Sequence, residues 1–281
     1  MKPVIRSIIS ALIVLITMTG CLQIKTEITV NPDGSGQIDQ TLFMKNEFIE
    51  MMSSFQTAGS GGSDSDNQQD EFSFYDEEEL RQRAEDMGEG VTYVSSEEVT
   101  KDKFQGYHAV YKFTDIGNLK IDQDPSAPLP SSPSATPGGP EPVIQDTMEE
   151  NIEYITFSHS SGNPAVLTIN LPTKEDTESE QDDQSGYDES MEPMMREMYK
   201  DMKIEMEITV NGSIVETNAG YTSDNTVSLI DIDMNKLMGN NDLFQKLLKG
   251  EIGSFEKMAT NVSDIEGVHA EKERKVTIKY Q

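Results

Sequence analysis

The chemistry that the sequence indicates most clearly is lipid attachment at its single cysteine. Cys21 ends the motif Met-Thr-Gly-Cys (18–21), directly behind a leader that is first basic and then apolar. Lipoprotein processing requires this arrangement, because the cysteine sulfur takes a diacylglycerol and the freed α-amine takes a further acyl chain. The apolar run 7–18 is too short for a transmembrane helix, which needs about 20 residues. Residues 1–20 are therefore predicted to be a lipoprotein signal peptide, with a buried cysteine behind an ordinary signal as the alternative.

The charge of the chain excludes several classes of partner. The 281 residues contain 22 lysines and arginines against 51 aspartates and glutamates. Removing the leader takes away Lys2 and Arg6, which leaves 20 basic against 51 acidic residues and a net charge of −31. Nucleic acid binding needs a basic footprint that this composition lacks. A polybasic attachment to anionic lipid is excluded in the same way, so the acyl chains on Cys21 are expected to hold the protein at the membrane.

A cluster of methionines is the second feature whose side chains could bind something. Six methionines lie between residues 191 and 206. They favour a helix that packs against a core, since methionine fills irregular apolar space. A lining for an apolar ligand is the second interpretation, and Cu(I) coordination by thioethers is the third. The candidate ligand-lining residues are Met194, Met195, Met198 and Met202.

The sequence offers no recognisable catalytic or metal site. Its three histidines, His108, His159 and His269, stand far apart and have no metal-type spacing with a cysteine or with each other. There is no Gly-x-Ser-x-Gly motif. We therefore expect a protein that is not an enzyme and that uses no cofactor.

The elements that must position any site are predicted to be strands and a few helices. Residues 22–30 alternate apolar and polar side chains and should form a strand whose even-numbered positions face a core. The turn Asp33-Gly34 should return the chain along a second strand. Asp76 should cap a helix, and Asn241 or Asp242 should lie near the cap of another. The remaining predicted elements are strands at 91–100, 104–113, 151–158, 165–171, 203–210 and 275–280 and helices at 191–202 and 241–249.

This pattern predicts an α+β fold, mainly an antiparallel sheet of hairpins with a few packed helices. Residues 21–281 should form one extracytoplasmic domain. Three segments are poor in apolar residues or rich in glycine, serine or proline, and are expected to be flexible. These segments are 58–70, 122–142 and 173–190.

One eight-residue stretch occurs twice. Residues 24–31 match residues 204–211 at six of eight positions, and a glycine-containing turn follows each copy. A duplicated β-hairpin is one interpretation. The other is that two unrelated one-sided strands share the same alternation.

The hairpins resemble those of the LppM-type lipoproteins, in which a lipidated cysteine leads at once into a strand and an Asp-Gly turn. The matching stretches are 21–42, with the turn 33–36, and 206–233, with the turns Asn211-Gly212 and 223–227. The resemblance implies a mixed α/β, lipid-binding-like fold in the cell envelope and a role in handling lipid or glycolipid. It implies no catalytic residues. The proline-rich and acidic segments depart from the family pattern.

Together these observations predict a membrane-anchored bacterial envelope lipoprotein that binds a lipid or another apolar ligand without catalysis. The alternative is a structural or adaptor lipoprotein that contacts other envelope proteins. Leu22, rather than Asp, follows Cys21. This favours the outer membrane in a Gram-negative host, and in other hosts the outer face of the plasma membrane. Because a strand begins at once, an apolar ligand is expected to enter at the membrane-proximal end.

Overall fold

The computed structural model describes seven stretches of the chain, which form an α+β fold with two sheets. The leader, Cys21 and the predicted flexible segments lie outside these stretches, apart from residue 122, which ends a strand. Among the described helices, none has the length and apolar character needed to cross a membrane. The described residues are 22–50, 75–122, 154–172, 192–249, 251–252, 255–263 and 265–281.

The first sheet contains eight strands, in the order β10-β11-β8-β1-β2-β4-β3, with β12 also paired to β11. β1 lies near its centre, although it is the first element that the structure describes. The strands are β1 (Leu22–Val30), β2 (Gly36–Lys45), β3 (Val91–Lys101), β4 (Phe104–Phe113), β8 (Lys203–Val210), β10 (Thr222–Ser223), β11 (Thr226–Asp233) and β12 (His269–Ala270).

The predicted polarity of β1 is confirmed. Its even-numbered residues are buried and its odd-numbered residues are half-exposed. β2 pairs with it antiparallel, Leu22 opposite Met44 and Val30 opposite Gly36. The turn between them needs Gly34, whose φ is +88°, a value that residues with a Cβ adopt at a cost.

The two copies of the repeated stretch lie side by side. β1 and β8 are parallel, and each residue of the first copy faces its counterpart in the second, from Ile24 opposite Ile204 to Val30 opposite Val210. The duplicated-hairpin interpretation is wrong in one respect, however. β2 directly follows β1 and pairs with it, whereas the antiparallel partner of β8 is β11, which follows only after two other strands. The strand is repeated, and the hairpin is not.

The second sheet packs its apolar face against the first. It has five strands in the order β5-β6-β7-β13-β9, and its buried residues belong to the same hydrophobic cluster as those of β1, β2 and β4. Because both sheets contribute to one cluster, the interior is continuous between them. The strands are β5 (Lys120–Asp122), β6 (Tyr154–Ser160), β7 (Ala165–Asn170), β9 (Ile214–Thr217) and β13 (Lys275–Tyr280).

Helices cover the flanks of the first sheet. Asp76 caps the first helix as predicted, its side chain accepting hydrogen bonds from the backbone N–H groups of residues 78 and 79. The cap of the helix near 241 is Asn240, one residue earlier than expected. The short helices α3 and α5 were not predicted; with α4 they form a second, smaller core. The helices are α1 (Glu77–Asp86), α2 (Glu192–Tyr199), α3 (Met234–Met238), α4 (Asn241–Leu248) and α5 (Phe255–Val262).

Candidate functional site

A polar cleft of about 740 Å³ lies at the end of the first sheet where β1 and β8 finish and β2 begins. This is the end of the sheet opposite Leu22, the first residue of β1. Eight of its ten lining residues are polar or charged. The lining consists of Thr29, Asn31, Ser35, Gly36, Gln37, Thr92, Lys112, Phe113, Thr114 and Asn211.

Sheet register creates one wall of the cleft. Thr29 faces Gln37 across β1 and β2, Gln37 faces Lys112 across β2 and β4, and Lys112 faces Thr92 across β4 and β3. These four side chains form a row across four strands, on the face opposite the buried core positions. In the sequence, the first and the last of these four residues, Thr29 and Lys112, are 83 positions apart. Only the strand pairing brings them together.

The two asparagines that end the repeated stretches form the adjoining wall. The Asn211 side-chain amide donates to Asn31 Oδ1 at 2.6 Å, and the Asn31 amide donates to Ser35 Oγ at 3.0 Å. The backbone N–H of Asn211 donates to the carbonyl of Val30 at 2.8 Å. These bonds hold both amide planes in place. Within the described part of the chain, Asn211 Oδ1 accepts no hydrogen bond, and it remains available to a ligand.

The second sheet supports this corner from behind. The Tyr280 hydroxyl donates to the backbone carbonyl of Asn31 at 2.8 Å, and His159 Nε2 lies 3.1 Å from the same hydroxyl. Burial raises the pKa of Tyr280 to about 12, so the hydroxyl is protonated at neutral pH and His159 must donate through Nε2. A Cβ added at Gly34 would lie 2.7 Å from His159 Nδ1. The turn, the tyrosine and the histidine therefore fit together only with glycine at position 34.

The hydrogen-bonding groups left free in the cleft are of both kinds. The Gln37 amide donates to Asp39 Oδ2 at 2.8 Å, which leaves its carbonyl oxygen as an acceptor. The exposed Lys112 ammonium forms no ion pair with the described residues and is a donor. Among the described residues no carboxylate lines the cleft itself, although Asp39 and Asp33 accept hydrogen bonds from its lining residues Gln37 and Ser35. The cleft therefore suits a ligand that both donates and accepts hydrogen bonds.

The predicted ligand-lining methionines are not part of this cleft so far as the structure describes them. Met202 is half-buried and packs against both hydrophobic clusters, as the packing interpretation expects. Met195 is half-buried on α2, and the side chains of Met194 and Met198 lie outside the described part. An apolar ligand lined by these four residues stays a prediction. The same holds for lipid attachment at Cys21, which also lies outside the described residues.

One pair of residues has the geometry of a nucleophile and its base, and sequence reasoning missed it. His269 Nε2 lies 2.8 Å from Ser228 Oγ, and its ring stacks on Tyr221 at 3.9 Å between centroids. Burial lowers the pKa of the His269 imidazole below its ordinary value. However, the backbone N–H of Ser228 donates to the Tyr221 carbonyl at 3.0 Å, so it is not available to stabilise an oxyanion. The pair is therefore better explained as a structural hydrogen bond between β11 and β12.

The other histidines and the acidic side chains form no metal site in the described stretches. His108 Nε2 lies 3.4 Å from Asp39 and its Nδ1 lies 4.0 Å from Glu97. His159 belongs to the corner behind the cleft. No group of three or more histidine, cysteine, aspartate or glutamate side chains in the described residues is placed to hold a metal ion.

Comparisons with known proteins give one similar structure. No protein-family model matches the chain, and no curated protein matches it. The NMR structure of the folded domain of LppM from Mycobacterium tuberculosis is similar at 10% sequence identity, over 75% of this chain and 81% of that one, with a TM-score of 0.29. The match confirms the predicted resemblance to the LppM-type lipoproteins. At this TM-score it supports no inference about function.

Proposed function

We propose that this protein is a bacterial envelope lipoprotein, anchored through acyl chains on Cys21, that binds an envelope glycan without catalysis. The observation that carries the proposal is the cleft at the far end of the first sheet, whose described lining residues supply both donors and acceptors and include no carboxylate. Anchor and cleft lie at opposite ends of the same strand, because β1 begins at Leu22 and ends at Val30, beside the cleft.

A glycan matches the free groups of the cleft better than a lipid tail does. Each sugar hydroxyl can donate one hydrogen bond and accept others. It can therefore satisfy the Gln37 and Asn211 oxygens and also accept from Lys112 or the hydroxyl of Thr29. The cleft is open to solvent on one side, and its volume of about 740 Å³ is large enough for a few sugar units. An acyl chain would leave these polar groups without partners, which costs free energy for each of them. The sequence-based expectation of an apolar ligand therefore receives no support from this cleft.

A structural or adaptor role is the second candidate, and a specific observation favours it. Two large apolar side chains are well exposed on edge strands, Val94 of β3 at 46% and Val215 of β9 at 55%. Edge strands offer unpaired backbone groups to a partner chain. A protein partner held at either edge would leave the cleft unused.

The test is binding of defined oligosaccharides to the full-length protein in detergent. Oligomers of N-acetylglucosamine are suitable probes, because they carry hydroxyl and amide groups. We expect wild-type binding in calorimetry, and a loss of about tenfold or more on Gln37→Ala, since a buried polar contact is worth about 1–2 kcal/mol. Lys112→Gln should weaken binding. Lys275→Gln is the control and should not weaken it, because Lys275 is an exposed residue of the second sheet. Equal affinities for these variants would contradict the proposed site.

The anchor is tested separately. Cys21→Ser should leave an unprocessed precursor that keeps its leader, whereas the wild-type protein should be processed and should partition into detergent. Normal processing of the variant would contradict lipid attachment at Cys21.

A further inference from the structure

The turn between β3 and β4 carries the exposed residues Lys101, Asp102 and Lys103 and the half-buried Phe104. In a chain with 51 acidic and 22 basic residues, this turn itself carries two lysines and one aspartate, while Glu47 and Glu50 follow Asn46, whose backbone N–H bonds to the turn. Neither lysine forms an ion pair with the described residues. The positive charge of the turn is therefore open to an external partner.

The sheet register puts this turn at the same end of the sheet as Leu22, the residue that follows the predicted anchor in the sequence. Leu22 faces Met44 across β1 and β2, and Met44 faces Gln105 across β2 and β4. Phe104 is one residue further toward the Cys21 end, and it pairs with Lys101 of β3. Asp102 and Lys103 extend beyond that pair. The turn is therefore the part of this hairpin that projects past the row of Leu22.

The distance between anchor and turn is short. β1 and β4 are two strand spacings apart, or about 10 Å. The Cα of Cys21 can lie only about 3.8 Å from that of Leu22, one peptide unit away. If acyl chains on the cysteine enter a bilayer, the turn lies within about 15 Å of the point of insertion. A lipid headgroup layer is several ångströms deep, so a turn at this distance from the point of insertion is close enough to contact it.

The turn is also held in place. The backbone N–H of Asn46 donates to the carbonyl of Lys103 at 2.9 Å. The Lys45 ammonium lies over the Phe104 ring, 5.9 Å from its centroid. The residue at the tip, Asp102, adopts φ of 53°, which gives a tight reversal. A fixed turn presents its lysines in one direction instead of sampling many.

We propose that the turn formed by residues 101–104, the anchor-side turn, contacts anionic lipid headgroups beside the acylated cysteine and sets the orientation of the domain on the membrane. This rests on the proposed lipid attachment at Cys21. Lys101 and Lys103 pair with headgroup phosphates, and Phe104 lies at the interface, where aromatic rings are favoured. Asp102 lies between the lysines, and both it and the net charge of −31 oppose close approach to an anionic surface, so the contact supplements the acyl chains and does not replace them. With the turn at the membrane, the polar cleft faces away from it.

The chain contains no tryptophan, so a single introduced indole reports on this arrangement. Phe104→Trp keeps the aromatic contact with Lys45 and places a fluorophore in the turn. Val215→Trp is the matched control, because Val215 is exposed on β9, whose first residue, Ile214, pairs with Tyr280 beside the cleft. Both acylated, full-length variants would be reconstituted into vesicles of phosphatidylcholine, with or without phosphatidylglycerol and with brominated acyl chains as the quencher.

We expect brominated lipid to reduce the emission of the Phe104→Trp variant and to leave that of Val215→Trp unchanged. Phosphatidylglycerol should increase the quenching, and adding Lys101→Gln and Lys103→Gln should remove this increase. Flotation with the vesicles separates the two proposals. A protein that floats but shows equal or no quenching at both positions overturns the orientation alone. A wild-type protein that does not float overturns the anchor and, with it, the orientation that depends on it.

Discussion

The two copies of the repeated strand offer an internal comparison within one sheet. β1 and β8 share six of eight residues over 24–31 and 204–211, and they lie side by side in parallel register. Toward the cleft the two strands are equivalent, since Ile28 and Ile208 are both fully buried. Toward the anchor they differ, because Ile24 is buried and Ile204 is half-exposed.

The difference shows that the alternation of apolar and polar residues determines which face of a strand is buried. The packing around each residue determines how completely that residue is covered. β1 has β2 along its whole length, with nine continuous pairs. β8 is paired with β11, whose register shifts between Ser228 and Ile230. A β-bulge of this kind bends the strand locally and disturbs the ladder. Ile204 still faces Ile232 across β8 and β11, but it is not among the buried members of either hydrophobic cluster, whereas Ile24 belongs to the larger one.

The largest expected effect comes from placing a charge at the equivalent, fully buried positions. Ile28→Asp and Ile208→Asp would each bury an unpaired carboxylate, and each should lower the free energy of unfolding by about 4 kcal/mol or more. Urea unfolding followed by circular dichroism measures both. Glu27→Gln, a change on the open face of β1, is the control and should stay within about 0.5 kcal/mol. A mild effect of either aspartate would show that the two strands are not equivalent at this end.

Features with a short-range cause could be predicted from the sequence, and features with a long-range cause could not. The alternation of β1 and the cap at Asp76 each depend on a few neighbouring residues, and both agree with the structure. The parallel pairing of β1 with β8 joins residues 180 positions apart, and a shared pattern alone does not specify it. The cleft depends on that pairing, because Asn31 and Asn211 meet only through it. The helix Met234–Met238 has five residues, too few to show a helical period.

The second prediction uses the end at which the strands differ. Ile24→Ala should cost about 3 kcal/mol of stability, as for a buried aliphatic truncation, and Ile204→Ala should cost about half as much. Because Ile204 is less buried, folding removes less of its apolar area from water, and truncating its side chain therefore costs less stability. The same urea experiment measures both. Equal losses would mean that Ile204 is as well covered in solution as Ile24.

The third prediction concerns the asparagines at the ends of the two strands. The Asn31 side chain both donates to Ser35 and accepts from Asn211, whereas the amide of Asn211 makes one of these bonds. Asn31→Ala should cost about 1–2 kcal/mol and Asn211→Ala about 1 kcal/mol or less, at roughly 1 kcal/mol for each bond. Melting temperatures of the two variants give the order. If Asn211→Ala lowers the melting temperature more than Asn31→Ala does, the backbone hydrogen bond from Asn211 to Val30 depends on the Asn211 side chain.

The smallest effect is expected on the open face, where the repeat brings like charges together. Glu27 faces Glu207 across the two strands, and Lys25 lies 3.0 Å from the first and 3.4 Å from the second. Burial lowers the pKa of Lys25, but the hydrogen bonds and charges of the two glutamates outweigh this and raise the pKa above 10.5. The stabilisation by Lys25 is therefore present below pH 10.5 and is lost as the pH rises through the folded-state pKa.

Lys25→Gln would leave the two glutamates opposed without their shared cation, and it should cost about 0.5–1 kcal/mol, the upper range for exposed ion pairs. Glu207→Gln removes one attraction and one repulsion together, so its net effect should be close to zero. Chemical unfolding in low salt and in about 1 M salt separates the two, because screening removes the cost of Lys25→Gln and leaves Glu207→Gln unchanged. A cost that persists in high salt would mean that the lysine stem, packed on the sheet, stabilises the fold more than its charge does.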